Sequence, residues 1–235
     1  MPLKKLLVSN LFLIALSILF AINITLSSAV KANEIKSHVE KKSLPIFYRL
    51  AFMTGHVEAG IELYKLNELK MAAPHLLHPV SEIHIAERKG LDKLGFKGNI
   101  FKQVSSSLEN NLPAIKIEPL LKKASINLNE LAKKAGGDSK KIVIFLLQTT
   151  LEEYDLSLKN NKITNIGEYQ DAWGFVKVAM YHAAQITDDQ LSKDTLKQLR
   201  NLHQYWTNGP LPTKYPTELK TIRKSIEGII AKLEV

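Results

Sequence analysis

Residues 53–84 read MTGHVEAGIELYKLNELKMAAPHLLHPVSEIH, and this stretch decides the fold. Apolar residues recur at helical spacing on both sides of a short polar turn at Asn67-Glu68, which predicts two antiparallel α-helices joined as a hairpin. Four of the chain's seven histidines lie within the hairpin. Imidazole is the commonest protein ligand for transition metals and titrates near neutral pH. The hairpin is therefore also the strongest indication of function.

Helical periodicity extends over nearly the whole chain, with Gly, Pro and Asn residues at the breaks. It predicts these helices: Leu44–Leu66, Glu68–Lys93 with a disturbance at Pro79, Asn99–Asn111, Glu118–Ala135, Ser139–Asn160, Asn165–Ile186, Asp188–Thr207 and Pro216–Leu233. No stretch shows the apolar alternation that is typical of a strand. The predicted fold class is all-α, an antiparallel helical bundle of about eight helices, or two stacked bundles divided near residues 113–137. The alternative is a helical repeat, since residues 60–79 look like one tetratricopeptide unit, although no second copy follows.

Composition excludes several classes of protein. The chain has 235 residues, of which 45% are hydrophobic and 23% charged, so it can bury a sizeable core. It has no cysteine, which excludes disulfides, thiolate zinc sites and covalently attached c-type haem. The formal net charge is +9, but the lysines are scattered and form no basic stripe with interleaved aromatics. Nucleic acid is therefore not an expected partner.

The first 32 residues differ in character from the rest. Lys4 and Lys5 precede an apolar run over residues 11–22, and small residues follow at Ala29 and Ala32. This pattern predicts a signal peptide over residues 1–32, with cleavage after Ala32 preferred to Ala29, and a helical domain over residues 33–235. The protein is then exported, and we expect it in the periplasm. An uncleaved N-terminal membrane anchor is the alternative, because residues 6–26 are long enough to span a bilayer.

The first candidate site lies in the hairpin. His75, His78 and Glu82 are spaced to share one helix face, and His56 and His78 each lie eleven residues from Asn67. They should therefore face each other at similar heights, roughly 16 Å from the turn. Histidines and a carboxylate on facing helices can bind iron, copper or zinc. The alternative is that these histidines cap helices or bond to buried backbone.

The second candidate site lies on the hairpin that joins residues 139–160 to residues 165–186. Glu153 precedes the turn, whereas Glu168 and Asp171 follow it three residues apart, and His182 comes eleven residues later. Facing carboxylates can bind hard or borderline cations. These residues would form a second metal site or the other wall of the first. The alternative is that the acids of the first helical turn only complement the helix dipole.

This second segment resembles a known family. Glu153-Tyr154, a turn containing Lys-Ile-Thr-Asn, then Glu168-Tyr169-Gln170-Asp171 and Phe175-Val176 are similar to the extracytoplasmic helical region of bacterial oxidase-dependent iron permease family proteins. The resemblance covers residues 143–186 and implies iron uptake or metal handling, with Glu153, Glu168 and Asp171 as ligands. A fainter likeness to imelysin-type periplasmic proteins points the same way, although Gly55-His56-Val57-Glu58 brings the glutamate one residue too close for the imelysin signature.

The sequence thus predicts an exported helical protein that binds a metal ion (iron, copper or zinc) or a metal-bearing ligand. No nucleophile elbow, phosphate-binding glycine loop or His-Glu-x-x-His motif is present, so we expect no enzyme. The alternative is a cell-envelope helical scaffold that binds a protein partner. A b-type haem bundle with His56 or Met53 as axial ligand ranks third.

Overall fold

A hairpin of two helices and the helices that pack on its two faces form the architecture in the computed structural model, which describes residues 44–81 and 85–235. The elements in chain order are α1 (Ile46–Lys65), α2 (Leu69–Leu77), a 3-10 turn (His78–Val80), α3 (Ile85–Arg88), a 3-10 turn (Asp92–Leu94), α4 (Gly98–Glu109), α5 (Ala114–Ala135), α6 (Ser139–Ser157), β1 (Leu158–Lys159), β2 (Lys162–Ile163), α7 (Ile166–Ala183), α8 (Asp189–His203), β3 (Thr207–Pro210) and α9 (Leu219–Leu233). The all-α prediction is confirmed. The predicted signal peptide lies outside the described residues, within which no helix is long and apolar enough to cross a membrane.

Several helices begin and end where the local chemistry requires it. The side chains of Asp138 and Asp188 accept backbone hydrogen bonds at the N-termini of α6 and α8. Asn67 adopts a positive φ of 63° and turns the chain between α1 and α2. The helix predicted over Glu68–Lys93 with a disturbance at Pro79 ends at Leu77, because Pro79 lacks an N–H group and the chain tightens there into a 3-10 turn. The chain is helical again over Ile85–Arg88.

A short β-hairpin interrupts the predicted helix Ser139–Asn160, which ends at Ser157. Strands β1 and β2 pair antiparallel, with Leu158 opposite Ile163. The two turn residues Asn160 and Asn161 have φ values of 53° and 56°. Positive φ at both central residues is the mark of a type I′ turn, whose right-handed twist matches the paired strands. The sequence pattern missed the strands because each is only two residues long.

The turn provides a first prediction. Asn161→Gly should raise the free energy of unfolding by about 0.5 kcal/mol, because glycine adopts positive φ without steric strain and Asn-Gly is the preferred type I′ pair. Asn161→Ala should lower it by about 1 kcal/mol. Urea unfolding followed by circular dichroism measures both changes. Equal stability of the two variants would show that the turn conformation is not retained in solution.

Helix α1 is buried on two sides and takes part in both hydrophobic clusters of the described chain. Its residues Ala51 and Phe52 belong to a cluster that includes residues of α6, α7, α8 and α9, whereas Leu50, Met53 and Val57 belong to a cluster that includes residues of α2, α4 and α5. A helix that is apolar around most of its circumference is expected at the centre of a bundle. Residues 43–235 form one compact unit, and a division near residues 113–137 stays a prediction.

Two glycines let α1 and α7 approach closely. A β-carbon on Gly174 would overlap the backbone carbonyl group of Gly55, and a β-carbon on Gly55 would overlap the ring of Phe175. Backbone contact of this kind requires glycine on both helices. His56 follows Gly55 directly, so the crossing point fixes its distance from α7.

Candidate metal centre

Two buried imidazoles from two helices converge on one carboxylate oxygen of a third helix. The Nδ1 atom of His56 on α1 lies 2.6 Å from Oδ1 of Asp171 on α7, and Nδ1 of His75 on α2 lies 2.9 Å from the same oxygen. The candidate ligand atoms of the three residues all lie within 4.8 Å of one another. The helical hairpin and the carboxylate-bearing helix therefore meet at one point.

Each member of this group changes the protonation of the others. Burial alone would raise the pKa of Asp171, but the two neighbouring imidazoles hold it well below its usual value. Burial alone would lower the pKa of His75, yet Asp171 and Gln170 raise it above the ordinary value. Both ring nitrogens of His75 face oxygens, since Nε2 lies 2.8 Å from Oε1 of Gln170. The Asp171 carboxylate thus favours the protonated form of His75, as an opposite charge at close range does.

Aromatic rings enclose His56. The rings of His56 and His78 stack with centroids 3.4 Å apart, which matches the equal heights expected from their spacing about Asn67. Phe52 and Phe175 present ring edges to His56, with centroids at 4.5 and 5.1 Å. Because its position is fixed on all sides by packing, His56 is held where its Nδ1 atom faces Asp171.

A cavity of about 390 Å³ reaches the centre from one side. Its walls include His75, His78, Gln170 and Asp171, together with the apolar side chains of Met71 and Ile166. The cavity opens to solvent and provides a route by which a small ion can reach His75 and Asp171. The imidazole of His56 lies deeper and is fully buried.

A pair of glutamates adjoins the centre. Glu153 on α6 and Glu168 in the first turn of α7 are both buried, at 6% and 9% exposure. Burial, followed by the neighbouring Glu168 carboxyl group, raises the pKa of Glu153 well above its usual value. Burial also raises the pKa of Glu168, whereas a hydrogen bond with Glu153 lowers it; Asp171 raises this pKa further and His75 lowers it. The glutamates and the imidazoles therefore belong to one electrostatic unit.

The remaining predicted site residues are placed differently. Glu82 lies outside the described residues. His182 shares α7 with Asp171 but is eleven residues away, roughly 16 Å along the axis. It lines a second cavity, of about 660 Å³, with Glu58 and Tyr181. Burial lowers the pKa of His182, and the structure does not bring it to the other predicted ligands.

The sequence analysis did not predict one residue of the centre, Gln170. Gln170 faces His75 with its carbonyl oxygen and contacts Met71 Sδ through its amide nitrogen at 3.4 Å. It precedes Asp171 in the chain, and a glutamine beside a candidate ligand carries no pattern that predicts this contact. In metal sites, a hydrogen-bond partner on the second ring nitrogen of a ligating histidine orients the ring. Gln170 occupies this position at His75.

The donor set fits a transition metal. Two imidazole nitrogens and one carboxylate oxygen suit zinc, iron or copper. Two ligand atoms on one tetrahedral ion lie about 3.3 Å apart, given bonds of about 2.0–2.1 Å. The distances of 2.6 and 2.9 Å are those of hydrogen bonds, so an ion would replace the bridging protons and push the carboxylate away by a fraction of an ångström.

Comparison with known proteins finds a family that matches part of the chain. Residues 137–235, which contain α6 to α9, match the family described as the iron permease-associated 4-helix bundle domain. The match confirms the resemblance predicted from residues 143–186. It contains Glu153, Glu168 and Asp171, whereas His56 and His75 precede it. No curated protein and no solved structure matches the chain.

Proposed function

We propose that this protein binds a transition metal ion through His56, His75 and Asp171, with iron as the first candidate, and that it serves metal uptake outside the cytoplasm. The observation that carries the proposal is the convergence of three buried ligand side chains, from three helices, within 4.8 Å. The match to an iron permease-associated bundle supports iron and an extracytoplasmic location. The proposed role is binding rather than catalysis.

Each residue has a separate part in this proposal. The nitrogens of His56 and His75 supply neutral donor atoms, and Asp171 supplies the negative charge that a cation needs in a buried position. Gln170 holds the His75 ring through Nε2. Because the neighbouring Asp171 raises the pKa of His75, a cation competes with a proton there, and binding weakens as the pH falls. Zinc and copper share this donor preference, so iron is favoured by the family match and not by the ligand set alone.

The proposal predicts that His56→Asn and His75→Asn lose the metal. Asparagine places an amide nitrogen near the position of Nδ1. This nitrogen keeps a donor to Asp171 but, unlike the imidazole nitrogen, has no lone pair available for a cation. We expect affinity for ferrous iron, supplied anaerobically, to fall at least about 100-fold in each variant, since loss of an outer-shell partner alone costs about 10–100-fold. Calorimetric titration and elemental analysis of the purified protein measure the loss, and zinc serves as the second probe.

His203→Asn is the matched control. His203 is a partly buried histidine in α8 whose ring lies 4.9 Å from that of Trp173, away from the centre. It should bind metal as the unmodified protein does. Equal metal in the control and in both site variants would contradict the proposal and would favour the alternative, a helical scaffold that binds an envelope protein partner and uses these histidines for structure.

A further inference from the structure

Glu153 and Glu168 share a hydrogen bond, yet this bond does not satisfy all of their buried carboxyl oxygens. The Oε2 atoms of both residues are buried and have no hydrogen-bond partner among residues 44–81 and 85–235. Glu168 Oε1 accepts one bond, from Asn165 Nδ2 at 3.1 Å. Buried carboxylates are ordinarily satisfied by several donors. Two orphaned oxygens on neighbouring carboxyl groups therefore require a separate explanation.

Nearby negative charges make the burial of the two glutamates harder to explain. After burial, the interactions that act most on Glu153 come from three other carboxyl groups, those of Glu168, Asp171 and Glu152. Two adjacent buried carboxylates cannot both be ionised without a positive charge nearby. The His75 imidazole lowers the pKa of Glu168 but is already bonded to Asp171. Either a proton or a metal cation must fill the place between the two glutamates.

We infer that the pair binds a second, oxygen-preferring divalent cation beside the imidazole centre. The inference deepens the proposed function, because it adds a neighbouring position to the same metal-binding region. Glu168 and Asp171 lie three residues apart on one face of α7, so the two positions are adjacent. Facing helices of bundles build two-metal sites from glutamates in this way.

The two positions differ in their preferred ion. Oxygen-only ligands suit manganese, magnesium or calcium, whereas mixed nitrogen and oxygen ligands suit zinc, iron or copper. Among the described residues, Glu153 and Glu168 have no third side-chain ligand that converges with them. Water therefore completes the coordination of the second ion, as is usual for hard cations bound by one or two carboxylates.

Manganese tests the second position. The purified full chain is first loaded with one equivalent of zinc, which is diamagnetic, and Mn²⁺ is then titrated while the free-ion signal is followed by electron paramagnetic resonance. We expect one bound Mn²⁺ per chain. Glu153→Gln and Glu168→Gln should each weaken that binding at least about tenfold. The control is Glu130→Gln, which removes an exposed carboxyl group on α5 and should leave Mn²⁺ binding unchanged.

Two further measurements distinguish a failure of this inference from a failure of the proposed function. His56→Asn combined with His75→Asn should lose zinc yet retain the Mn²⁺ position, so failure of one site does not imply failure of the other. If a glutamine variant does not fold, titration of the unmodified chain still decides. A chain that leaves all Mn²⁺ free overturns the inference. So does a Glu153→Gln variant that binds Mn²⁺ as tightly as the unmodified chain, because the pair would then hold a shared proton.

Discussion

Gly174→Ala should lower the free energy of unfolding by about 2–4 kcal/mol. The added methyl group would overlap the Gly55 carbonyl group and touch the Ala59 side chain at 3.2 Å. Overpacking ordinarily costs about 1–3 kcal/mol, and here the obstacle is backbone, which cannot rotate out of the way. Helix α1 cannot move aside either, because it packs on both hydrophobic clusters. Urea unfolding of the metal-free protein measures the change.

The same substitution should weaken the metal centre. His56 follows Gly55, so any separation of α1 from α7 lengthens the 2.6 Å contact between His56 and Asp171. Gly228→Ala is the control, since the space around Gly228 in α9 is open. Alanine there should stabilise the protein by about 0.5–1 kcal/mol through its higher helix propensity. If Gly174→Ala and Gly228→Ala changed the free energy of unfolding with the same sign and size, the α1–α7 crossing would tolerate a wider separation.

Most of the helices were predictable because burial of one face repeats their apolar residues at helical spacing. Their limits were predictable where a residue imposes them, as at Asn67 with its positive φ. The pairing of His56 with His78 across the hairpin followed from local spacing and the helical rise alone. The β-hairpin at Asn160-Asn161 was missed, because two-residue strands produce no periodicity.

The meeting of the two predicted sites was not predictable from spacing. His56 and Asp171 are 115 positions apart, and their contact depends on the glycine crossing of α1 and α7, which no local pattern describes. His182 illustrates the opposite error of inference. Its spacing from Asp171 puts it on a similar face of α7, but distance along the helix axis places it beside a different cavity. Two residues on one face of a helix can belong to one site only if they also lie at similar heights along the helix axis.

Asp171→Ala should destabilise the metal-free protein by about 3–5 kcal/mol, the range measured when one partner of a buried ion pair is removed. The change leaves the His75 imidazole buried, with Gln170 facing one nitrogen and no carboxylate facing the other. Asp171→Asn keeps an oxygen acceptor and removes only the charge, so it should cost about 1–2 kcal/mol. Asp155→Ala, at an exposed aspartate of α6, is the control and should change stability by less than about 0.5 kcal/mol.

The size of the Asp171→Ala effect should depend on pH in a defined direction. The pKa of Asp171 is lowered in the folded state, so its contribution is present above the unfolded value of 3.8 and is lost at more acidic pH. The pKa of His75 is raised, so its contribution is complete below the unfolded value of 6.5 and is lost as the pH rises through the folded value. The difference between the unmodified chain and Asp171→Ala should therefore be largest between pH 3.8 and 6.5. Unfolding with a chelator present measures it at pH 5 and at about pH 9. A difference that grows toward alkaline pH would mean that His75 is neutral in the folded protein, and that the centre is not held by an ion pair.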